Sequence, residues 1–255
     1  MKLLVTGLRG TLAPKLDQAA GHQGHEVLAW DRSLVDPGDL PAAQAWLNRH
    51  QPDAIAHLAM GSVIWAGLLA RHAAEKALPM LFTSSAMVFD HLPDGPHAPL
   101  DERTAKDDYG RYKMACEDAI AAAHPAATIA RIGWQIDPTA VGNNMLMALD
   151  DWQRREGRVA ASSAWRPACS FMTDTADALL RLLLQPVPGV VHLDSNAAEG
   201  HSFDNIVRAL QQQFKRCDWR LSVNEDYRHD QRLAGGAEQM PGLSARLPAL
   251  TSPSS

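Results

Sequence analysis

The feature that most constrains this chain is its opening. An apolar run from Lys2 to Thr6 passes directly into Gly7-Leu8-Arg9-Gly10-Thr11-Leu12-Ala13 and then into helical periodicity. A strand that turns at once into a helix needs residues without bulk, so that the chain reverses tightly and its N–H groups lie bare at the positive end of the helix. The G-x-x-G-x-x-A spacing meets that need. An ordinary strand-to-helix turn would also use it, and its place after a strand and before a helix is what favours phosphate binding. Ala13 permits close helix packing, and Pro14 falls in the first turn, where its missing donor costs little.

The same rhythm continues. A helix is read over Thr11 to Ala20, strands at Glu26 to Trp30 and Asp53 to Leu58 flank a helix at Leu40 to His50, and a fourth strand is read at Met80 to Thr83. An Ala-rich helix at Asp107 to Ala123 precedes a strand at Thr128 to Ile132. Short apolar runs alternating with helices are βαβ units, so the predicted fold is α/β, a doubly wound parallel sheet of Rossmann-like type. After Gly133 the rhythm weakens, although helices at Thr173 to Leu184 and Ser202 to Phe214 and a strand at Gly189 to Leu193 remain readable. Residues 1–133 are therefore predicted as a dinucleotide-binding core to which later elements return. Residues 134–255 are predicted as mainly a small, irregular substrate-binding lobe. The Pro- and Ser-rich stretch from Leu243 to Ser255 is expected to fray.

Composition removes other classes. With 24 basic against 29 acidic residues, a net charge of −5 and no Lys/Arg run, the chain is not expected to bind nucleic acid. Cys116, Cys169 and Cys217 form no C-x-x-C pair, so reduced thiols in a cytosol are expected rather than a disulfide scaffold or zinc site. His22-x-x-His25 has no acidic or cysteine partner at ligand spacing, so no metal is expected. Leu3-Leu4-Val5 is too short for a signal peptide, and the uncharged stretch Ala54 to Ala70 is broken by His57, Gly61, Ser62 and Gly67, as a strand, a turn and a helix start would be. The expectation is a cytoplasmic protein, without membrane contact, that works on small molecules.

Two further places carry chemistry. At the end of the second strand, Asp31 could accept a hydrogen bond from a ribose 2′-OH, as in NAD, while Arg32 and Arg9 could neutralise a 2′-phosphate, as in NADP. Two cations on one locus favour NADP, with NAD the alternative. At the head of the Ala-rich helix, Tyr109-Gly110-Arg111-Tyr112-Lys113 sets a phenol and an ammonium one turn apart. An unperturbed phenol titrates near about 10, and a neighbouring cation lowers it towards the working range. Thr83-Ser84-Ser85 places hydroxyls at a strand's C-terminal end, where open α/β sheets bind ligands.

Together the pieces resemble the extended short-chain dehydrogenase/reductase family, in particular its dTDP-4-dehydrorhamnose reductase-like branch, which is also similar to NAD-dependent epimerase-dehydratases. The resemblance rests on Gly7-x-x-Gly10-x-x-Ala13, His57-Leu58-Ala59, Ser84-Ser85-x-x-Val88-Phe89-Asp90, Tyr109-x-x-x-Lys113 followed by Glu117, Arg131-Ile132-Gly133 and Thr173-Asp174-Thr175-Ala176, and it spans most of residues 1–215. It implies hydride transfer to or from a carbonyl or alcohol of a nucleotide-sugar-like substrate. Tyr109 would exchange a proton with the substrate oxygen, Lys113 would depress the Tyr109 pKa and hold the nicotinamide ribose, and Ser85 would position the oxygen, with Ser84 facing the sheet or the cofactor. Gly7, Arg9, Gly10, Thr11, Leu12, Asp31, Arg32, Leu58, Ala59, Met60, Tyr109 and Lys113 would line the dinucleotide.

The resemblance also implies a homodimer built through two helices per subunit. Its departures fall on the substrate side. Ala86 and Met87 replace the acidic or aromatic residues of many relatives, which disfavours an acid-assisted dehydratase step, and Ser163-Ala164-Trp165-Arg166-Pro167-Ala168 keeps only the proline of the branch's D-Q-x-G-x-P-T stretch. Trp134, Asn144, Trp165 and Arg166 are the substrate-side candidates, Arg166 as a clamp for phosphate or carboxylate and Trp165 as a stacking ring, against the alternative that they pack or lie on the surface. A non-catalytic dinucleotide-sensing protein of the same fold is the competing function. The intact Ser85, Tyr109 and Lys113 set favours an enzyme, because a sensor needs no such set.

Overall fold

The computed structural model describes residues 1–140 and 142–251. The first half runs β1 (Lys2–Thr6), α1 (Ala13–His22), β2 (Glu26–Ala29), α2 (Leu40–His50), β3 (Ala54–His57), α3 (Val63–Glu75), β4 (Met80–Ser85), α4 (Asp108–Ala123) and β5 (Thr128–Ile132). There follow β6 (Trp134–Ile136), α5 (Met145–Glu156), β7 (Val159–Ser162), β8 (Trp165–Arg166), β9 (Cys169–Phe171), α6 (Met172–Leu184), β10 (Gly189–Leu193), α7 (Phe203–Gln213), β11 (Leu221–Asn224) and β12 (His229–Asp230). Short polar side chains set several of the helix starts. Asp39 accepts from Ala42 N–H, Ser62 from Trp65 N–H and Asp107 from Gly110 N–H, which fixes where α2, α3 and α4 begin.

Six strands form the central sheet in the order β10-β5-β4-β3-β1-β2, and β1 pairs in parallel with both β2 and β3, as β3 does with β4. The chain thus moves outward from β1 to β2 on one side, then crosses to β3 and continues on the other. That reversal leaves a crevice at the C-terminal ends of β1 and β3, where doubly wound sheets take their ligands. β3 and β4 are buried throughout, in keeping with a sheet covered on both faces.

The chain divides into two compact units. The first comprises Met1–Val88, Asp107–Arg131 and Ala176–Val191, and the second Phe89–Lys106, Ile132–Thr175 and His192–Ser255. The core of the first gathers Leu4, Ile55, Trp65, Leu69 and Phe82 around an aromatic cluster in which Trp30 lies 4.8 Å from Trp46 and 5.3 Å from Trp65. The core of the second is built on α7, whose Phe203, Ile206, Val207 and Leu210 recur at helical spacing and meet Leu146, Leu149, Val159 and Phe171.

Three short parallel pairs, β6 with β9, β7 with β11 and β8 with β12, frame the second unit. Gly133 is required where β6 meets β9, since a Cβ there would stand 2.3 Å from the Ala168 carbonyl. The expected fraying of the tail does not hold for residues 243–251. Leu243 and Leu247 are fully buried in the second core, and the Arg246 guanidinium pairs with Asp174. The apolar positions of that stretch outweigh its Pro and Ser content, and residues 252–255 lie outside the described residues. No helix among the described residues is long and apolar enough to cross a membrane.

Candidate active site

A cleft of about 500 Å³ opens at the β1/β3 reversal, lined by Gly7, Leu8, Arg9 and Gly10 from the loop after β1, by residues 29–32 and by residues 58–60. Gly7 explains its shape. It sits at φ +89°, and a Cβ would lie 3.1 Å from the Ala59 nitrogen and 3.2 Å from its Cα, so only glycine lets the loop pass this close to the end of β3. Gly10 N–H then donates to the Gly7 carbonyl at 2.7 Å and closes the turn.

Beneath the loop, Thr6 Oγ1 accepts from the N–H groups of Leu58 and Ala59, both at 3.1 Å, and donates to His57 Nδ1 at 2.8 Å. The hydroxyl therefore fixes both the cleft floor and the imidazole tautomer, with the ring proton on Nε2. Burial, reinforced by Lys113 and Arg32, holds the His57 pKa down at about 3, so the ring is neutral.

The β2 wall carries the charges. Asp31 Oδ1 accepts from Ser33 N–H at 2.8 Å and Ser33 Oγ at 2.7 Å and lies 3.4 Å from Arg9. The Ser33 hydrogen bonds, and secondarily Arg9, keep the Asp31 carboxylate below its ordinary pKa. Arg32 donates to the Met60 carbonyl and lies over the Trp65 ring, 5.3 Å from its centroid. Among the predicted dinucleotide residues, Gly7, Arg9, Gly10, Asp31, Arg32, Leu58, Ala59 and Met60 line this one cleft. Leu8, Ala29 and Trp30 join them unforeseen.

Thr11 and Leu12 are not part of the lining. Leu12 is the N-cap of α1, its carbonyl taken by Lys15 and Leu16 N–H, and no side chain caps that helix start. A left-handed glycine, a helix start without a side-chain cap and two arginines fit a phosphate-bearing dinucleotide.

Tyr109 and Lys113 also lie outside that lining, at the C-terminal end of β4. Lys113 is 4% exposed, and its Nζ donates to the Thr83 carbonyl at 2.8 Å, 4.8 Å from the Phe82 ring centroid and 5.7 Å from that of Tyr109. Tyr109 is 42% exposed, with Ser85 near enough to its phenol to act on its pKa, and the Ser85 Oγ accepts from Met87 N–H at 3.2 Å. Ser84 is buried facing away, its Oγ without a hydrogen-bond partner.

The expected depression of the Tyr109 pKa by Lys113 is not what this arrangement produces. Burial raises the phenol pKa, with the Ser85 hydrogen bond acting against that rise and Asp107 adding to it. The ammonium, itself drawn down to about 8 by burial, faces the Thr83 carbonyl and aromatic rings. Below both residues, Arg131 of β5 makes a buried two-pronged pair with Glu117 of α4 at 2.9 and 2.8 Å, which fixes the helix that carries them.

Three of the four substrate-side candidates are engaged by their own surroundings. Asn144 is 1% exposed, accepts from Met147 N–H at 3.2 Å as the N-cap of α5, and donates to the Ala140 carbonyl at 2.9 Å. Its amide is thus engaged in capping α5. Trp165 donates through Nε1 to Gln231 at 2.9 Å and packs 4.4 Å from Phe203, with Trp134 stacked 6.2 Å away. Arg166 is exposed on β8. No cluster of His, Cys, Asp and Glu that could hold a metal ion occurs among the described residues.

Residues 62–218 match the model of a family described as the RmlD substrate binding domain, a span that includes Ser85, Tyr109 and Lys113 but not the Gly7 loop. The chain is 29% identical over 209 residues to a dTDP-4-dehydrorhamnose reductase of Mycobacterium tuberculosis, covering 74% of this chain and 68% of that one. It is 25% identical over 222 residues to a probable dTDP-4,6-dihydroxy-2-methyloxan-3-one 4-ketoreductase of Streptomyces antibioticus, covering 80% and 74%. In fold it is similar to a dTDP-4-dehydrorhamnose reductase of Bacillus anthracis solved in complex with NADP, with a TM-score of 0.80 over 98% of this chain and 99% of that one at 15% identity. With more than half of its length matched by the family model, and with the six-stranded parallel sheet and strand-end residues described above, the chain belongs to the RmlD substrate binding domain family.

Proposed function

We propose that this protein is an NADPH-dependent reductase of a nucleotide-linked sugar carbonyl, working through Ser85, Tyr109 and Lys113. The observation that carries the reading is the buried Lys113 ammonium 5.7 Å from the Tyr109 ring, with Ser85 beside the phenol, on the sheet whose β1/β3 cleft is shaped for a dinucleotide. The relatives named as reductase and ketoreductase support reduction as the direction. The first unit is assigned to the dinucleotide and the second to substrate recognition. A reduced nicotinamide, when bound, supplies the hydride.

The chain's own residues do the rest. Arg9, 84% exposed, and Arg32 meet the 2′-phosphate and so select NADPH over NADH. Tyr109, whose raised pKa keeps the phenol protonated at neutral pH, gives its proton to the carbonyl oxygen. Ser85 orients that phenol. Lys113, charged below about pH 8, offsets the negative charge left on the tyrosine oxygen.

The test is NADPH oxidation with dTDP-4-dehydrorhamnose. Tyr109→Phe is expected to lower kcat by about 100-fold or more, the usual scale of a lost acid–base group, with NADPH binding and melting temperature retained. Turnover by Tyr109→Phe at the wild-type rate, or a wild-type protein that NADPH does not stabilise, would end this reading.

A further inference from the structure

Tyr112 stands out because its ring lies on the same helix as Tyr109 and Lys113, yet its hydroxyl reaches a different element. Its oxygen accepts from the backbone N–H of Gly61 at 2.9 Å. Gly61 follows Met60, part of the cleft lining, and precedes Ser62, the N-cap of α3. The opposite edge of the same short loop is held by Arg32, which donates to the Met60 carbonyl. Gly61 has no latitude of its own, since a Cβ there would fall 2.5 Å from the Trp65 ring. Burial, with the fully buried Cys116 thiol one turn further along α4, raises the phenol pKa, so the hydroxyl stays protonated. The Lys113 Nζ lies 5.8 Å from the Tyr112 ring centroid.

We propose that Tyr112 is a positioning residue that ties the helix carrying Tyr109 and Lys113 to the Met60–Ser62 wall of the dinucleotide cleft, so that cofactor affinity depends on a hydroxyl that never touches the cofactor. The proposal rests on the dinucleotide reading above. Without the hydroxyl, the Gly61 N–H loses its acceptor, and beyond Leu58 and Ala59, which Thr6 holds, Met60 keeps only its bond from Arg32. The loop then samples positions that misplace Met60, while Tyr109, Lys113 and Ser85 keep their own contacts. The consequence falls on cofactor binding more than on the chemical step.

The experiment uses the full chain. NADPH dissociation constants, steady-state constants and peptide-resolved hydrogen exchange are measured for wild type and Tyr112→Phe. The expected result is an NADPH Kd and KM raised about fivefold to tenfold, kcat at saturating NADPH within twofold of wild type, and faster exchange confined to the peptide containing Gly61. An unchanged NADPH Kd together with unchanged exchange at Gly61 overturns the proposal, as does an equal loss in kcat and affinity. If wild type binds no NADPH, the dinucleotide reading fails, and exchange at Gly61 still decides whether the phenol holds the loop. Should Tyr112→Phe not fold, wild-type exchange decides alone, because a Gly61 amide that exchanges as freely as an unbonded loop amide refutes the hydrogen bond.

Discussion

The two units solve the problem of polar groups in opposite ways. In the first, groups stand at the edge of the cleft: the Gly7 turn lines it, α1 begins without a side-chain cap, and Arg9, beside Asp31, is 84% exposed. In the second, a buried carboxylate and its neighbours tie irregular segments together. Asp194, fully buried, accepts from the N–H groups of Cys169 at 3.0 Å, Asn196 at 2.8 Å and Leu233 at 3.0 Å, joining three segments through one carboxylate. Asn196 in turn donates to the Pro167 and His201 carbonyls, both at 2.9 Å. Unsatisfied donors beside a cleft are places for a ligand, whereas closed networks hold irregular chain in place. At these two places the first unit leaves groups at the edge of a cleft and the second ties its segments together.

The contrast is broken most severely at Gly7. Gly7→Ala places a Cβ against Ala59 in a backbone conformation that L-residues adopt at a cost of about 1–3 kcal/mol, and it either closes the cleft or shifts the loop. NADPH affinity is expected to fall at least about 100-fold, equivalent to about 2.7 kcal/mol, while the circular dichroism spectrum stays native. A titration of the purified variant that returned the wild-type Kd would show that the loop does not form the phosphate site.

The same contrast explains what was legible in the sequence. The loop from Thr6 to Ala13, the strand ends and the Tyr109–Lys113 pair follow from local rules, a period of two or 3.6 and glycine where bulk is excluded, and the structure places them within a residue or two of expectation. The strands β6 to β9, β11 and β12 were not legible, because two to four residues carry no period and their partners lie far away. Ser162 Oγ donates to the Tyr227 carbonyl across 65 residues, and Trp165 to Gln231 across 66. Helix α5 was missed although Asn144 caps it, since that asparagine was read as a group for substrate. The effect of Lys113 on the Tyr109 pKa is illegible for a related reason. Spacing places an ammonium near a phenol, but only the packed structure shows it turned to the Thr83 carbonyl and both groups governed by burial.

Acid sharpens the comparison, because the two units respond to it with opposite sign. His57 has its pKa lowered from 6.5 to about 3 by burial, so the unfolded chain binds the extra proton first. The stability this gives is present above pH 6.5 and is lost as pH falls towards 3. Asp194 has its pKa raised from 3.8 to about 7, burial outweighing its three N–H donors and Arg232. Its contribution is present below pH 3.8 and is lost as pH rises through 7. Between pH 6.5 and 4 each slope approaches about 1.4 kcal/mol per pH unit. Hydrogen exchange corrected for intrinsic rates should therefore show β1 and β3 losing protection on acidification while the peptides holding Cys169 and Asn196 gain it. Asp194→Asn should flatten only the second trend, and parallel trends in both units would refute the assignment.

The smallest expected effect tests the boundary between holding and receiving most directly. Asn144 is one of the four substrate-side candidates, yet both ends of its amide are committed, Oδ1 to Met147 N–H and Nδ2 to the Ala140 carbonyl. If those bonds are its whole function, Asn144→Ala removes an N-cap worth about 1 kcal/mol and lowers the melting temperature by a few degrees, whereas Asn144→Asp, which keeps the capping oxygen, restores most of it. KM for the sugar nucleotide should stay within twofold of wild type in both variants. A sugar-nucleotide KM raised tenfold in Asn144→Ala with an unchanged melting temperature would instead return Asn144 to the substrate site. It would also show that the second unit, like the first, keeps a polar group in reserve for its ligand.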